Sequence, residues 1–154
     1  TFRDEVAALL PKAEVASMTG AFILFEELLA NDLTAKKISL RFKDQGGRIA
    51  HLHGHCHQKA FDVMGPVATV LQSVPGLEVK PIESSCCGMA GAFGFDAKTI
   101  DVSLAMGELN LLPAVRKAGE NDLIVADGTS CRHQIHDGAG REALHVARVL
   151  DEAL

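Results

Sequence analysis

Apolar positions along the chain fall into two regimes. Up to about residue 46 their spacing is helical. Phe22, Phe25 and Leu29 recur at three- and four-residue intervals, which predicts one apolar helix face, with Thr19 as its cap and Asn31-Asp32 as its end. Lys43 to Gly47 is a polar turn. From Arg48 onward, short apolar runs alternate with helical spacing. Arg48 to His53 reads as a strand. Ala60, Met64, Val67, Leu71 and Val74 mark a helix face, kinked or restarted at Gly65-Pro66. Pro75-Gly76 turns the chain into a second strand, Leu77 to Ile82. A glycine-rich loop follows, Gly88 to Gly94. Ile100, Leu104, Leu111 and Val115 predict one long amphipathic helix ending near Gly119. Leu123 to Ala126 is a short apolar run of the kind buried on both faces of a parallel sheet. A loop follows Gly128. A last helix carries Ala143, Val146, Ala147 and Leu150 on one face, with His145 in it as a structural residue.

Strand and helix alternate three times. This order predicts an α/β sandwich with a mostly parallel sheet, built from βα units and preceded by an N-terminal helical segment. The expected division is a helical segment over 1–46 packing on an α/β domain over 47–154.

The length of 154 residues suits one such unit. A hydrophobic share of 47% supplies a core, and a charged share of 23% is ordinary, which excludes a disordered, collagen-like or coiled-coil chain. No apolar run reaches the ~18 residues of a membrane span. Thr1 to Glu5 mix both charges, unlike a secretory leader, and a start at Thr rather than Met raises the expectation of a piece of a longer chain. A net charge of -5 and the absence of Trp and Tyr argue against a nucleic-acid partner.

Candidate chemistry lies in four cysteines, Cys56, Cys86, Cys87 and Cys131. Bridging the neighbours Cys86 and Cys87 would strain the backbone, and nothing marks secretion. Reduced thiols in a cytoplasmic setting are therefore expected. Each cysteine site follows the end of a predicted strand. In a parallel sheet those ends share one edge, where open α/β folds bind ligands. The four thiols can therefore converge there. Converging thiolates repel unless a cation neutralises them, and a soft metal or an iron–sulfur cluster does so. The small residues of Gly88 to Gly94 let backbone N–H groups approach sulfur. Thr129 and Ser130 offer hydroxyls beside Cys131, and helix starts add favourable dipoles. The competing reading is four unrelated core cysteines. Their expected place in polar or glycine-rich loops speaks against it.

His51, His53, His55 and His57 alternate strictly. One continuous strand would put all four on one face and Cys56 on the other. His51 and His53 therefore read as strand residues. His55 and His57 flank Cys56, where they can hydrogen-bond sulfur or supply a ligand. The same roles are open to His133 and His136 after Cys131. Cys131-Arg132-His133 as a nucleophile and base would leave three cysteines unexplained, so no catalytic residue is assigned. The glycine-rich loop lacks the following Lys-Ser/Thr and the dinucleotide spacing. Arg132 and Arg141 read as solvated, and Met64, Met89 and Met106 as core filling.

The segments His53 to Ala60, Cys86 to Gly91 and Gly128 to Gln134 together resemble the cysteine-rich CCG domain. That domain recurs in heterodisulfide reductase, in glycolate oxidase iron–sulfur subunits and in the membrane-anchor subunit of anaerobic glycerol-3-phosphate dehydrogenase. Over about residues 48 to 150 the chain looks most similar to the C-terminal part of FAD-linked D-2-hydroxy-acid oxidases. The resemblance implies that Cys56, Cys86, Cys87 and Cys131 hold an iron–sulfur cluster, with a 4Fe-4S form favoured. Gly88, His55, His57 and His133 would surround it. It further implies an electron-transfer module of a glycolate- or D-lactate-type dehydrogenase. The partners would be a flavin domain or subunit and a ferredoxin-like segment, with FAD bound only there. The alternative is a zinc-binding structural or docking module without a redox role. The family pattern often ends in Cys-x-x-Cys, and here Gln134 stands at the second position. A four-thiolate cubane, a zinc site or a site completed by His is therefore expected over a five-thiolate cluster.

Overall fold

The computed structural model describes residue 3, residues 5–18 and residues 21–154. Two short helices come first, α1 (Glu5–Leu9) and α2 (Lys12–Met18), separated at Pro11. Then come α3 (Phe25–Thr34), β1 (Arg48–His53), α4 (Cys56–Ala60), α5 (Met64–Gln72) and β2 (Leu77–Pro81). A single 3-10 turn, Gly91–Gly94, leads to α6 (Ile100–Leu109), α7 (Leu111–Lys117) and β3 (Leu123–Ala126). The chain closes with α8 (Thr129–Ala139) and α9 (Val146–Ala153).

The three strands form one sheet in the order β2-β1-β3, parallel throughout. The α/β reading and the N-terminal helical segment are thus met. Strand alternation divides the sheet's two faces. Ala50 and Leu52 of β1, with Leu123 and Val125 of β3, pack against Ala30 of α3, Val67, Val70 and Leu71 of α5, and Val146, Val149 and Leu150 of α9. Ile124 and Ala126 point the other way, into a second cluster with Leu111 and Val115 of α7 and Ile135 of α8. Each Val, Leu or Ile among them contributes about 1.5–3 kcal/mol when fully buried. Cys87, Met89 and Cys131 belong to this second cluster. The open edge of β3 is covered by Leu144, whose N–H donates to Ile124 O and whose carbonyl accepts from Ala126 N–H.

Several boundaries differ from the sequence reading. Thr19 lies outside the described residues. The helix expected from Phe22 starts at Phe25 and runs through Asn31-Asp32 to Thr34. Its buried residues are Glu26 and Ala30, while Phe25 is half exposed. The helix around Met64 is interrupted before Gly65-Pro66, at Phe61 to Val63, where Asp62 takes a φ of +54°. The long helix from Ile100 breaks at Asn110. Pro113 explains the break, since its ring clashes with the carbonyl four residues earlier and it has no N–H to donate. No loop follows Gly128, because α8 starts at Thr129. His145 is the cap of α9 rather than part of it, its Nδ1 accepting Ala147 N–H at 3.1 Å. Arg132 and Arg141 are not simply solvated. Arg132 donates to the carbonyls of Ala126 and Asp127, and Arg141 to those of Ala118, Gly119 and Asp122.

Candidate metal centre

All three cysteine segments leave the same edge of the sheet. Leu52 and Ile82 are still joined there, by Ile82 N–H donating to Leu52 O. Cys56 is the first residue of α4, capped by His55, whose Nδ1 accepts His57 N–H at 3.3 Å. Cys86 and Cys87 sit in the connection after β2. Cys131 lies in the first turn of α8. Two of the four cysteines thus sit on helix starts rather than in loops, and Cys87 and Cys131 are apolar-core members.

The thiols form an outer and an inner group. The Cys56 thiol donates to Cys86 Sγ at 3.6 Å, with Cys56 exposed and Cys86 half-buried. Cys87 and Cys131 are 2% and 1% exposed. Their sulfurs and a ring nitrogen of His53 all lie within 4.8 Å of one another. The groups are electrostatically connected, since negative charge on Cys87, Cys56 and Cys86 contributes to raising the pKa of Cys131. All four thiols of the sequence reading are therefore neighbours.

Their environments differ. The Cys131 thiol, hydrogen-bonded to Cys87, draws the Cys87 pKa down to about 4 against the opposing effect of burial, and the His53 ring pulls the same way. Cys131 is pushed up by that same bond, by burial and by the neighbouring sulfurs. One thiol of the inner pair is thus held as a thiolate. Cys56, exposed as a residue, is raised by partial desolvation of its thiol and by Cys86. His55 is lowered by burial and by neighbouring His57.

The loop carrying Cys86 is fixed from two sides. Lys59 of α4 donates to the carbonyls of Ser84 and Ser85. Gly88 N–H donates to Cys86 Sγ at 3.3 Å. Gly88 has a φ of +92°, and a side chain there would strike the Ser103 carbonyl of α6. Gly128 is needed for a different reason: a β-carbon would meet the His55 ring and lie 3.0 Å from Cys131 Sγ.

The histidines sort differently from the sequence reading. His55 and His57 stay beside the site, their rings edge to face at 5.2 Å. His133 is exposed two residues beyond buried Cys131, on the opposite side of α8. The structure does not bring it to the thiols. His51 pairs with Asp122 at 2.9 Å. His53 is the residue the sequence reading missed. It is 1% exposed, and β1 alternation sends it to the face opposite Leu52, where Cys87 and Cys131 lie. Its place as last residue of a strand, one step past an inward Leu, was the available signal.

Gln134 occupies the position where a further cysteine would extend the motif. It is 2% exposed, and its Nε2 donates to Ser103 O at 3.1 Å, tying α8 to α6. A second group with ligating atoms within 4.8 Å, Glu26, Asp127 and His145, borders a cavity of about 500 Å³ beside His55. Asp127 and His145 are engaged there as structural groups. Asp127 accepts from Val146 N–H and Gln58 Nε2, and His145 caps α9.

The residues present fit a soft metal or cluster. The donors are thiols, one is held ionised, and a buried ring nitrogen beside them has no hydrogen-bond partner. Among the described residues no helix is long and apolar enough to cross a membrane.

The CCG cysteine-rich domain matches residues 50–136. A subunit of the anaerobic glycerol-3-phosphate dehydrogenase of Escherichia coli (strain K12) is 32% identical over 104 residues, 66% of this chain and 25% of that protein. D-2-hydroxyglutarate dehydrogenase of the same organism is 28% identical over 141 residues, 84% of this chain and 13% of that protein. The D-2-hydroxyglutarate dehydrogenase of Pantoea ananatis (strain AJ13355) is 26% identical over 165 residues, 99% of this chain and 14% of that protein. The chain spans a quarter or less of the length of these relatives. No solved structure matches. With its three cysteine segments gathered on one sheet edge and more than half its length matched, the chain belongs to the CCG cysteine-rich domain family.

Proposed function

We propose that this chain is the iron–sulfur electron-transfer module of a flavin-linked 2-hydroxy-acid dehydrogenase or oxidase of glycolate or D-lactate type. The observation that carries the reading is the gathering of the cysteines at one sheet edge, Cys56 with Cys86 outside and buried Cys87 with Cys131 inside, and the low pKa of Cys87 supports it. A thiolate available at neutral pH is the form that binds soft metals. Cys56, Cys86, Cys87 and Cys131 would be the ligands. An iron–sulfur cluster, 4Fe-4S in this reading, supplies one-electron redox chemistry when bound. The chain's residues hold and tune it. Gly88 N–H donates to one ligand sulfur, and Lys59 pins the loop that carries it. Burial of Cys87 and Cys131 keeps water from the inner side.

The relatives are named as a glycerol-3-phosphate dehydrogenase subunit and as D-2-hydroxyglutarate dehydrogenases, which supports a place in a larger hydroxy-substrate oxidoreductase. In this reading FAD sits in another domain or subunit, a ferredoxin-like segment stands between, and the chain alone oxidises no hydroxy acid. Residues 1–46 would be a helical segment on a cysteine-rich domain over 47–154. Contacts such as Lys43 N–H to Ala153 O at 2.7 Å support that packing. Four free thiols suit a reducing, cytoplasmic compartment. A zinc-binding docking module is the second reading. The close set of His53, Cys87 and Cys131 favours it, as a mixed nitrogen–sulfur set typical of zinc.

Anaerobic purification followed by iron, sulfide and zinc analysis tests both. Iron with matching sulfide and a visible charge-transfer band supports the cluster. Zinc alone in colourless protein selects the docking module. Protein that takes up neither after reconstitution overturns both.

A further inference from the structure

His53 Nε2 is the only buried side-chain nitrogen or oxygen among the described residues without a hydrogen-bond partner. Such atoms are rare in folded proteins and call for an explanation. The ring is held firmly from its other side. Nδ1 lies 2.8 Å from Ser84 Oγ, and that hydroxyl reaches the Ile82 carbonyl at 3.4 Å. A hydroxyl carries one proton. When that proton goes to Ile82 O, Nδ1 must be the donor toward Ser84. The ring is then the neutral tautomer with its proton on Nδ1 and a bare lone pair on Nε2. This is the arrangement by which proteins present histidine to metals, with the remote N–H anchored to an acceptor. A ring nitrogen of His53 lies within 4.8 Å of both the Cys87 and Cys131 sulfurs, and Nε2 is the nitrogen that Ser84 leaves free.

We propose that His53 Nε2 is a direct ligand of the centre held by the cysteines, completing with Cys87 and Cys131 the buried half of a mixed nitrogen–sulfur site. The inference rests on the reading that the cysteines bind a metal or cluster, and it adds the nitrogen. Gln134 is turned toward α6, its Nε2 donating to Ser103 O. The rival role for His53 is an Nε2–H donor to the Cys87 thiolate, the sense in which the ring lowers the Cys87 pKa in the metal-free chain. That role would reverse the Ser84 bond and leave the hydroxyl no proton for Ile82.

The test uses Co(II) as a spectroscopic stand-in for the native metal. Reduced 154-residue chain is titrated without oxygen, and nitrogen hyperfine coupling is read by pulsed electron resonance with and without 15N-histidine. The wild type is expected to show histidine nitrogen coupling together with thiolate-to-cobalt charge transfer. The coupling should persist in His55→Ala and His57→Ala and vanish in His53→Ala. Because His53 is buried, Ser84→Ala provides a gentler variant. It should keep the coupling but bind Co(II) roughly 10–100-fold more weakly, as loss of an outer-shell anchor does. Charge transfer without nitrogen coupling in the wild type overturns this inference and leaves the metal-centre reading standing. So does coupling that survives in folded His53→Ala. A chain that takes up no Co(II) overturns both.

Discussion

Gly88 lies so close to Ser103 that a β-carbon would fall inside the contact radius of the Ser103 carbonyl oxygen. Its φ of +92° is also one that residues with side chains rarely adopt. Gly88→Ala should therefore lose about 2–5 kcal/mol, from backbone strain and overpacking together. Gly91 is the control, since it too has positive φ, +55°, but faces open space. Gly91→Ala should lose about 1 kcal/mol. Urea denaturation of the two variants checks the difference, and equal losses would contradict it. The crowding at Gly88 comes from the α6 backbone, and the positive φ, one of the two grounds the sequence offered for needing glycine there, is present.

Acid should remove a specific contribution to the stability of the metal-free chain. The native pKa of Cys87 is about 4, below the ordinary 9.0, so the folded state holds a thiolate where the unfolded chain holds a thiol. That contribution is complete above pH 9.0, shrinks as the pH falls and is gone below about 4. Cys131, with its pKa raised, acts in the opposite sense, and its contribution fades as the pH rises past 9.0. Thiolate absorbance in the ultraviolet should show one ionised thiol at about pH 6, where ordinary thiols show none. No absorbance there would refute the assignment.

Outer and inner cysteines should separate ligation from packing. Cys56 is exposed, so Cys56→Ser should leave the stability of the metal-free chain within about 0.5 kcal/mol while lowering metal content. Cys87→Ser should remove metal retention and also destabilise the apolar cluster that holds it. Metal analysis paired with denaturation of both variants reads the two effects. Full metal content in Cys87→Ser would exclude it as a ligand.

Lys59 should matter to metal binding although it carries no ligand atom. It donates to the carbonyls of Ser84 and Ser85, one step before Cys86. Lys59→Met keeps the stem and removes the donor. Metal affinity should fall roughly 10–100-fold, the range for groups that position ligands. A competitive chelator titration measures it, and unchanged affinity would assign Lys59 to the surface.

The alternation of short apolar runs with helical spacing made the sheet legible. It also made the convergence of Cys56, Cys86, Cys87 and Cys131 legible, because parallel strands share a carboxyl edge. Helix boundaries were less so. Pro113 lies inside an apolar periodicity that continues smoothly across it, and periodicity alone does not register a missing N–H. His53 was hidden by the run His51 to His57, whose strict alternation invites one reading for four residues. The chain leaves the strand after His53, so His55 becomes a helix cap and only His53 keeps the strand's inward direction. Gln134 could be marked as a departure from a motif. Its partner Ser103 lies 31 residues away, on a helix that sequence spacing alone does not dock against α8.

The central position of β1 joins assembly and occupancy into one equilibrium. The thiols are borne by the segments that follow β1 and each of its two neighbours, so no local fragment can bring them together. Whatever they hold binds the folded chain alone, and its free energy adds to that of folding by mass action. Stripping the centre should therefore lower the melting temperature of the whole unit, and loading it should protect even α3, which touches no sulfur, from proteolysis.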